Sequence, residues 1–244
     1  EAEFPAPPAA PIYPADRDAT EGTQITFAWE TVANAKDYHF ELADHPQILW
    51  PLSSNFEKLI SCTTNAGTAT YSLPRAGLLN PGQEYYWRVR SLGTNGVWSV
   101  WSPVWRFTPH GPGAPRHVRL KMDAGTGTGI LEWNAPLDGR PATEYRVYGS
   151  NEKGFTINDE PYAVYVGNQP VPRLISPFPA NFIATTTNAF LEVIGPNANW
   201  PGGNAAYYRV VAVDALGNRS GPSAMAEAPR PFLCNTNCLT IRLG

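Results

Sequence analysis

Two arginines and two tryptophans stand close together in the stretch YYWRVRSLGTNGVWSVWSPVWRF, residues 85–107. The stretch predicts two antiparallel strands joined by a short Gly-containing turn. Arg88 and Arg90 are two positions apart and therefore share one face of the first strand. Trp98 and Trp101 come just past the turn, where their rings can lie against the guanidinium groups. A cation–π contact of this kind stabilises an exposed site by about 0.5–1 kcal/mol.

We predict that these four side chains form a structural ladder that protects one face of a sheet. The alternative is a sugar-binding platform, because flat indole rings can stack on pyranose rings. A formed ladder would cover those ring faces, and this favours the structural interpretation.

Other aromatic residues stand in loops, where binding residues are common. Trp50 lies between Leu49 and Pro51, and Trp200 lies in the turn-rich run PNANWPGGN. Each ring is a candidate for contact with a ligand or partner. The alternative is that each ring folds back over one end of its own domain.

Residues 149–188 form a long, Pro-rich middle segment in the second half of the chain. A loop longer than about 12–15 residues in a compact domain is commonly functional or disordered, and the aromatic content here disfavours disorder. We predict either a flap that contacts a ligand or a neighbouring domain, or a cover for a domain interface. The binding candidates in this segment are Phe155, Tyr162, Tyr165 and Phe178.

The ionisable residues contain no recognisable catalytic set. The sequence lacks the HExxH, GxSxG, P-loop and Gly-rich dinucleotide motifs. The histidines share no metal-ligand spacing, and a calcium loop of alternating acidic residues is missing. We therefore predict no catalytic residues, no metal and no cofactor, while a carboxylate pair assembled only by the fold stays open.

Composition and charge exclude several classes of function. The chain has 244 residues and a net charge of −3, without a Lys/Arg cluster that could neutralise phosphates, so nucleic-acid binding is excluded. Charged residues make up 16% and prolines number 25, a mix that disfavours long helices and suits a loop-rich β protein. No run of about 18–20 apolar residues could span a bilayer. We expect a monomer.

The three cysteines do not make a disulfide framework. Cys62 stands alone in a predicted strand, where it is best explained as a small buried hydrophobic residue. Cys234 and Cys238 form CNTNC, in which a local disulfide is geometrically possible. Whether these two are bridged stays open.

Short strands recur along both halves of the chain. Residues 24–29 and 38–42 alternate between apolar and polar positions, and about seven such strands fit in the first ~100 residues, as in an immunoglobulin-like sandwich. The second half repeats this plan, with Trp133 placed as Trp29 is. The predicted parts are a secretion or cloning remnant and lead-in (1–7), domain 1 (8–108), a linker (109–115), domain 2 with the long middle insertion (116–228) and a tail (229–244).

These features resemble two tandem fibronectin type III domains. The run LNPGQEYYWRV, residues 79–89, looks like the corner between the E and F strands of that family, with Tyr85 as the corner tyrosine. Trp29 and Trp133 resemble its B-strand tryptophan. In the second domain the corner position falls on Ala206, a departure that puts the corner bond of that domain in question. The resemblance implies two all-β, immunoglobulin-like sandwiches and a Tyr85 hydroxyl bonded to a backbone group just upstream.

Within the family, YYWRVRS followed by WSxWSP is similar to modules appended to secreted bacterial polysaccharide-active enzymes and surface proteins. WSVWS also resembles the WSxWS box of cytokine receptors. In those receptors the box belongs to the second module and cysteine pairs mark the first. Here the box stands in the first module without such pairs, so the receptor function is not carried over.

We predict a non-catalytic accessory region of a secreted or cell-surface multidomain protein, acting as a spacer, docking or adhesion module. The alternatives are a carbohydrate-binding module that uses loop aromatics and a protein-binding, receptor-like fragment. The expected partners are a polysaccharide or neighbouring domains. The opening residues 1–4 resemble the remnant of a secretion leader with a cloning scar, and Asn218 begins a sequon that a eukaryotic secretory pathway would glycosylate.

Overall fold

The computed structural model describes residues 5–8, 10–49, 53, 55–61, 69–123, 125–160, 162–166, 173–178, 180–195, 198 and 205–228. Within this part of the chain, the regular secondary structure consists of β-strands divided between two compact units. Unit 1 comprises residues 1–113, 138–140 and 218–220, and unit 2 comprises residues 114–137, 141–217 and 221–244. No helix capable of spanning a membrane occurs among the described residues.

Unit 1 holds eight short strands that are rich in aromatic and β-branched residues, the types that favour strands. They are β1 (Pro11–Tyr13), β2 (Asp18–Glu21), β3 (Thr26–Trp29), β4 (Ala35–Ala43), β5 (Glu57–Ser61), β6 (Thr70–Ser72), β7 (Tyr85–Gly93) and β8 (Trp105–His110). One sheet has the strand order β1-β3-β6, and the other has the order β2-β8-β7-β4-β5. Strand β7 therefore lies at the centre of the larger sheet.

Strand β7 separates the core of unit 1 from its outer face. Burial alternates strictly along the strand, because successive side chains of a strand point to opposite faces. Trp87 and Val89 enter the core, while Arg88 and Arg90 lie on the other face. Strand β4 runs antiparallel to β7, with His39 directly opposite Arg90.

The core of unit 1 is built from aromatic rings that meet between the two sheets. The ring centroid of Phe27 in β3 lies 4.8 Å from that of Phe40 in β4 and 5.2 Å from that of Trp87 in β7. All three side chains are fully buried. Burial of one such large side chain stabilises a fold by about 1.5–3 kcal/mol, and the tilted ring contacts add to this. These contacts join the two sheets into one sandwich.

Unit 2 repeats this architecture with one additional hairpin. Its strands are β9 (Arg116–Asp123), β10 (Thr128–Asn134), β11 (Ala142–Ser150), β12 (Tyr162–Val166), β13 (Arg173–Phe178), β14 (Phe182–Thr186), β15 (Phe190–Ile194), β16 (Tyr207–Asp214) and β17 (Ala226–Glu227). The order β15-β10-β9 forms one sheet, β14-β11-β16-β17 forms another, and β12 and β13 pair only with each other. Leu131 of β10 packs with Val147 of β11 and Val210 of β16 in a core between the two larger sheets.

In unit 1 a three-stranded sheet packs against a five-stranded sheet, and in unit 2 a three-stranded sheet packs against a four-stranded sheet. This two-layer arrangement is that of immunoglobulin-like sandwiches. The described part of the chain is all-β, and both units have the immunoglobulin-like sandwich arrangement. The predicted fold class is therefore confirmed.

A tyrosine hydroxyl fixes the corner before the long strand of each unit. In unit 1 the backbone N–H of Asn80 donates to the Tyr85 hydroxyl over 2.8 Å, which confirms the predicted corner bond. In unit 2 the N–H of Ala205 donates to the Tyr208 hydroxyl over 2.9 Å. A corner bond therefore exists although Ala206 occupies the expected position, because a tyrosine two residues later supplies the hydroxyl.

The run after the turn at residues 94–96 is not a regular strand, although the sequence predicts one. Trp98 makes an isolated bridge with Leu92, and β8 begins only at Trp105. The last strand of unit 2, β17, is short and holds the two residues Ala226 and Glu227.

Strand β8 continues through Pro109 and His110, which the sequence assigns to the linker. Both residues pair with β2, a short parallel strand at the edge of the larger sheet. The lead-in itself packs on unit 1, since the buried Ser91 hydroxyl donates to the carbonyl of Ala6 over 2.7 Å. Ala6, predicted to belong to a remnant and lead-in, is thus in contact with the sandwich.

The segment 149–188 contains more regular structure than the sequence predicts. Strands β12 and β13 form a hairpin with Tyr162 opposite Phe178, and β14 pairs with β11. Pro177 lies within β13, opposite Ala163. A proline is tolerated there because each strand of a two-stranded sheet has one edge that needs no ladder donor. The sequence predicts a strand over residues 163–166, which β12 confirms, whereas the prolines around residue 177 obscure β13.

Candidate functional site

The arginines of β7 and the tryptophans of the WSVWS run interleave on the outer face of unit 1. The Arg88 guanidinium carbon lies 4.3 Å from the ring centroid of Trp101. The Arg90 guanidinium carbon lies 4.5 Å from Trp101 and 4.8 Å from Trp98. We call these four residues the Arg/Trp ladder. Both tryptophans are half-buried, so each contact is worth roughly 0.5–2 kcal/mol.

Two serines fix the run that carries the tryptophans. The backbone N–H of Val89 donates to Ser102 Oγ over 3.1 Å, and that of Ser91 donates to Ser99 Oγ over 3.0 Å. The backbone N–H groups of the two serines in turn donate hydrogen bonds to the carbonyls of the same two β7 residues. The serine hydroxyls thus satisfy donors of β7 that a neighbouring strand would otherwise bind.

The spacing of these bonds explains why the run is not a β-strand. The two β7 residues in these bonds, Val89 and Ser91, are two positions apart in the sequence. Their partners, Ser99 and Ser102, are three positions apart. A period of three residues is that of polyproline II, whereas a β-strand has a period of two. Trp98 and Trp101, each one residue before a serine, repeat with the same period and meet the arginines.

His39 of β4 extends the ladder across the sheet. Its ring centroid lies 5.0 Å from that of Trp101, and Arg90 Nη2 donates to its Nδ1 over 3.0 Å. A guanidinium has no acceptor, so Nδ1 accepts and the proton of the neutral ring is on Nε2. Nε2 then donates to the Glu57 carboxylate over 2.9 Å. Both ring nitrogens are therefore used in holding β4, β5 and β7 together.

Glu41 completes the cluster on the same face. Arg88 donates to its carboxylate from Nε over 2.8 Å and from Nη2 over 2.7 Å. Glu41 lies directly opposite Glu57 in the pairing of β4 with β5, and like charges in that arrangement destabilise a sheet. Arg88 and His39 each bind one of the two carboxylates and offset their repulsion.

His39, Glu41 and Glu57 are the one group among the described residues whose geometry would suit a metal, since their ligand atoms lie within 4.8 Å of one another. A metal bound at Nε2 would move the ring proton to Nδ1, where Arg90 already donates. Metal-bound histidine usually donates its other N–H to an acceptor. The group fits a hydrogen-bonded network better than a metal centre.

The outer face of unit 2 is covered by different residues. The Arg146 guanidinium carbon in β11 lies 4.3 Å from the Phe182 ring of β14, and Arg146 donates to Asp159 over 2.9 Å. The Tyr148 hydroxyl donates to the same carboxylate oxygen over 2.8 Å. Burial raises the pKa of Tyr148, so the hydroxyl keeps its proton for this bond at neutral pH.

Phe155, a predicted ligand contact, packs into this face as well. Its side chain is only 8% exposed and shares a cluster with Tyr148 and Val211. The Arg209 guanidinium carbon lies 5.7 Å from its ring. The ring of Phe155 is therefore covered by the fold and is not presented to a ligand.

The structure describes only some of the remaining predicted binding residues. Trp50 and Trp200 lie outside the described residues, as do Cys62, Cys234 and Cys238. For Tyr162, Tyr165 and Phe178 the structure gives the backbone of β12 and β13, and their binding roles stay predictions. Asn218 is half-buried just after β16, and its glycosylation also stays a prediction.

The sequence contains a signal for the neighbours of the ladder. Alternation places His39 and Glu41 on the outward face of their strand, and this fold pairs that strand with the one that carries the arginines. The strand pairing in the structure then sets His39 opposite Arg90 and Glu41 opposite Arg88. Asp159 has no comparable signal, because it reaches its partners from an irregular loop.

Comparisons with known proteins add little to this geometry. No family model matches the chain, and no curated protein matches it. Among solved structures, the chain is similar to the crystal structure of chicken CNTN1 FN1-FN3 domains, with 14% identity and a TM-score of 0.30 over 91% of this chain. The match spans 65% of the length of that structure. The fold assignment rests on the strand topology described above.

Proposed function

We propose that the chain is a non-catalytic accessory region of a secreted or cell-surface protein, in which it acts as a spacer, docking or adhesion module. One observation carries the proposal: the ionisable groups gathered on the outer face of unit 1 bind one another. Both nitrogens of His39 are hydrogen-bonded, and Arg88 holds Glu41. A catalytic base needs a lone pair directed at substrate, and in this cluster Arg90 occupies the accepting nitrogen.

The same contacts support a mechanical role. Two serine hydroxyls tie residues 99–102 to β7, and the Arg/Trp ladder joins the same run to β7 through its side chains. A sheet face closed in this way resists local opening, because opening must break several contacts together. Such stiffness suits a spacer or docking module.

The test is an activity assay on the full chain with soluble and insoluble polysaccharides and with casein. The proposal predicts no release of reducing ends or of peptides above that of a buffer blank. Activity that co-purifies with the chain and disappears in His39→Gln would contradict it. The variant Leu137→Ala, at a position 73% exposed, serves as the matched control.

A carbohydrate-binding module that uses loop and hairpin aromatics is the second candidate function. The separate hairpin of β12 and β13 favours it, because the register sets Tyr162 opposite Phe178 on an element outside both sandwich sheets. Retention of the chain on insoluble glycans, weakened in Trp50→Ala, Trp200→Ala or Phe178→Ala, would support it. Lack of retention across a broad glycan array would exclude it.

A further inference from the structure

Both sandwiches contain a cleft at the same place on their three-stranded sheets. Each has a volume of about 460 Å³ and lies beside the tryptophan of the middle strand, Trp29 of β3 in unit 1 and Trp133 of β10 in unit 2. The backbone fixes the equivalence. The N–H of Trp29 donates to the Ala69 carbonyl over 3.0 Å, and that of Trp133 donates to the Ala189 carbonyl over 3.1 Å.

The two clefts carry different side chains at equivalent positions. In unit 2, Glu132 of β10 lies opposite Phe190 of β15. In unit 1 the corresponding pair is Ala28 of β3 opposite Thr70 of β6. One cleft therefore has a carboxylate and an aromatic ring where the other has a methyl group and a short hydroxyl side chain.

The unit 2 cleft has an apolar surface that faces solvent. Phe190 is 53% exposed and Ile130 is 40% exposed, and both line the cleft. Water contact with these groups is unfavourable by about 25 cal/mol for each Å² of apolar surface. A ligand with an apolar face would remove that contact by lying against the phenyl ring.

Fixed polar groups surround this apolar surface. Arg119 donates to the Glu132 carboxylate, and Lys121 Nζ lies 2.8 Å from its other oxygen. Hydrogen bonds from Lys121 and Arg119 lower the pKa of Glu132, so the carboxylate is charged at neutral pH. At the other end of the cleft, Asn134 Nδ2 lies 3.2 Å from His117 Nδ1. The cleft thus presents hydrogen-bond donors and acceptors beside its apolar surface, with the Arg119 side chain 64% exposed and the Glu132 side chain 24% exposed.

The charges around the cleft select the kind of ligand. Among the residues that line the cleft, Arg119 contributes one positive charge and Glu132 contributes one negative charge. The sum is zero, so a charged ligand would find no uncompensated partner. A neutral ligand rich in hydroxyl groups matches this set of donors and acceptors.

We propose that the cleft of unit 2 binds one ring of a neutral polysaccharide. The apolar C–H face of the ring lies on Phe190 and Ile130, and its hydroxyls bond to Glu132, Arg119 and Asn134. A volume of 460 Å³ is within the range of small-molecule sites. The proposal deepens the carbohydrate-binding candidate function, and it assigns the binding to a sheet face in place of the loop aromatics.

The experiment is affinity electrophoresis of the full chain in native gels that contain hydroxyethyl cellulose, a soluble β-1,3-glucan, galactomannan or xylan, with polygalacturonate as the charged probe. Retardation is expected in at least one neutral gel. The apparent Kd should rise more than tenfold in Phe190→Ala and in Glu132→Gln. Thr70→Ala, at the equivalent position of unit 1, should leave it unchanged, and Phe190→Tyr should keep binding because it keeps a flat ring.

Tryptophan NMR of the same variants supplies a readout that misfolding cannot imitate. The indole N–H signal of Trp133, assigned with Trp133→Phe, should shift on addition of the retarding glycan, while that of Trp29 should not. Loss of retardation in Trp50→Ala or Trp200→Ala but not in Phe190→Ala would overturn this site and keep the carbohydrate-binding function. Retardation by polygalacturonate alone would overturn the ligand class, and retardation in no gel would overturn both site and function.

Discussion

On the outer face of each sandwich, aromatic rings cover arginine side chains, but the rings belong to different elements in the two units. In unit 1, Trp98 and Trp101 come from the run that follows β7 and cover the arginines of that strand. In unit 2, Phe155 and Phe182 come from the segment between β11 and β15 and cover Arg209 and Arg146. Each face thus buries arginine against aromatic rings, although the rings reach it from different parts of the chain.

The backbone anchor beneath these faces is the same in both units. The N–H of Val89 donates to Ser102 Oγ over 3.1 Å, and the N–H of Val210 donates to Ser223 Oγ over 3.0 Å. The residue before the serine is Trp101 in unit 1 but Pro222 in unit 2. The hydroxyl anchor belongs to the fold, whereas the aromatic cover varies.

This difference indicates where a ligand is to be sought. The aromatic residues on the outer faces already contact arginine side chains, so the number of aromatic residues does not indicate a ligand-binding surface. The three-stranded sheets are the opposite case, since Phe190 is 53% exposed and no cation–π contact to it occurs among the described residues. Exposure, more than aromatic content, marks the candidate surface.

The largest effect should come from Phe155→Ala. Truncation of a buried phenylalanine commonly destabilises a protein by about 3–5 kcal/mol, and Phe155 lies near the surface, so we expect about 3 kcal/mol. Native-state hydrogen exchange at β11 and β16 measures the loss for unit 2 separately from unit 1. Loss of glycan binding with unchanged stability in this variant would show that Phe155 contacts a ligand after all. Leu137→Ala, at an exposed position, is the control.

Tyr208→Phe should have the next largest effect, because it removes the acceptor for the N–H of Ala205. Loss of a buried hydrogen bond of this kind destabilises a protein by about 1–2 kcal/mol. Tyr85→Phe is the matched variant in unit 1, where the Asn80 N–H loses its acceptor in the same way. An unchanged hydrogen-exchange rate at Ala205 would contradict the role of the corner bond.

The same tyrosine predicts an alkaline weakening of unit 2. Burial raises the pKa of Tyr208 to about 12 from the ordinary 10.0. Between these values the unfolded chain loses the phenolic proton first, so stability falls as pH rises above 10 and by pH 12 the loss reaches about 2 kcal/mol. Thermal unfolding from pH 9 to 11 should show a shallower fall in Tyr208→Phe than in the parent. An equal slope would place the alkaline loss at other groups.

Glu57→Gln should have the smallest effect. The glutamine oxygen still accepts from His39 Nε2, and the Glu57 side chain is 46% exposed, so solvent screens much of the lost charge interaction. We expect a change of about 0.5 kcal/mol in the free energy of unfolding. Zn²⁺ should not raise the melting temperature of the parent chain. A metal-dependent rise that disappears in this variant would replace the hydrogen-bonded network with a metal site.

Much of the fold follows from local patterns in the sequence. Alternation around Trp29 and Trp133 predicts the middle strand of each three-stranded sheet, β3 and β10, and the turn chemistry before Tyr85 predicts the corner bond. The predictions fail where non-local pairing decides the structure. Strand β2 forms because β8 offers it a parallel partner, and β13 tolerates Pro177 because it is paired on one side.

The site is less predictable than the fold, for a physical reason. The contacts between β7 and residues 98–101 are close in sequence, so spacing alone brings arginines and tryptophans together. The contact of Arg146 with Asp159 depends on the path of a loop, and the cleft of Phe190 depends on which side chain lies across the sheet. Such neighbours are set by register and loop conformation, which no motif in this sequence encodes.

Hydrogen exchange at Val89 and Ser91 in Trp101→Ala tests most directly whether the Arg/Trp ladder is structural. These two N–H groups donate to Ser102 and Ser99, in the bonds that tie the run carrying Trp98 and Trp101 to β7. Loss of two cation–π contacts of roughly 0.5–2 kcal/mol each should speed their exchange by about tenfold or more while glycan retardation stays unchanged. Unchanged exchange together with lost retardation would contradict the account and make Trp101 a ligand contact.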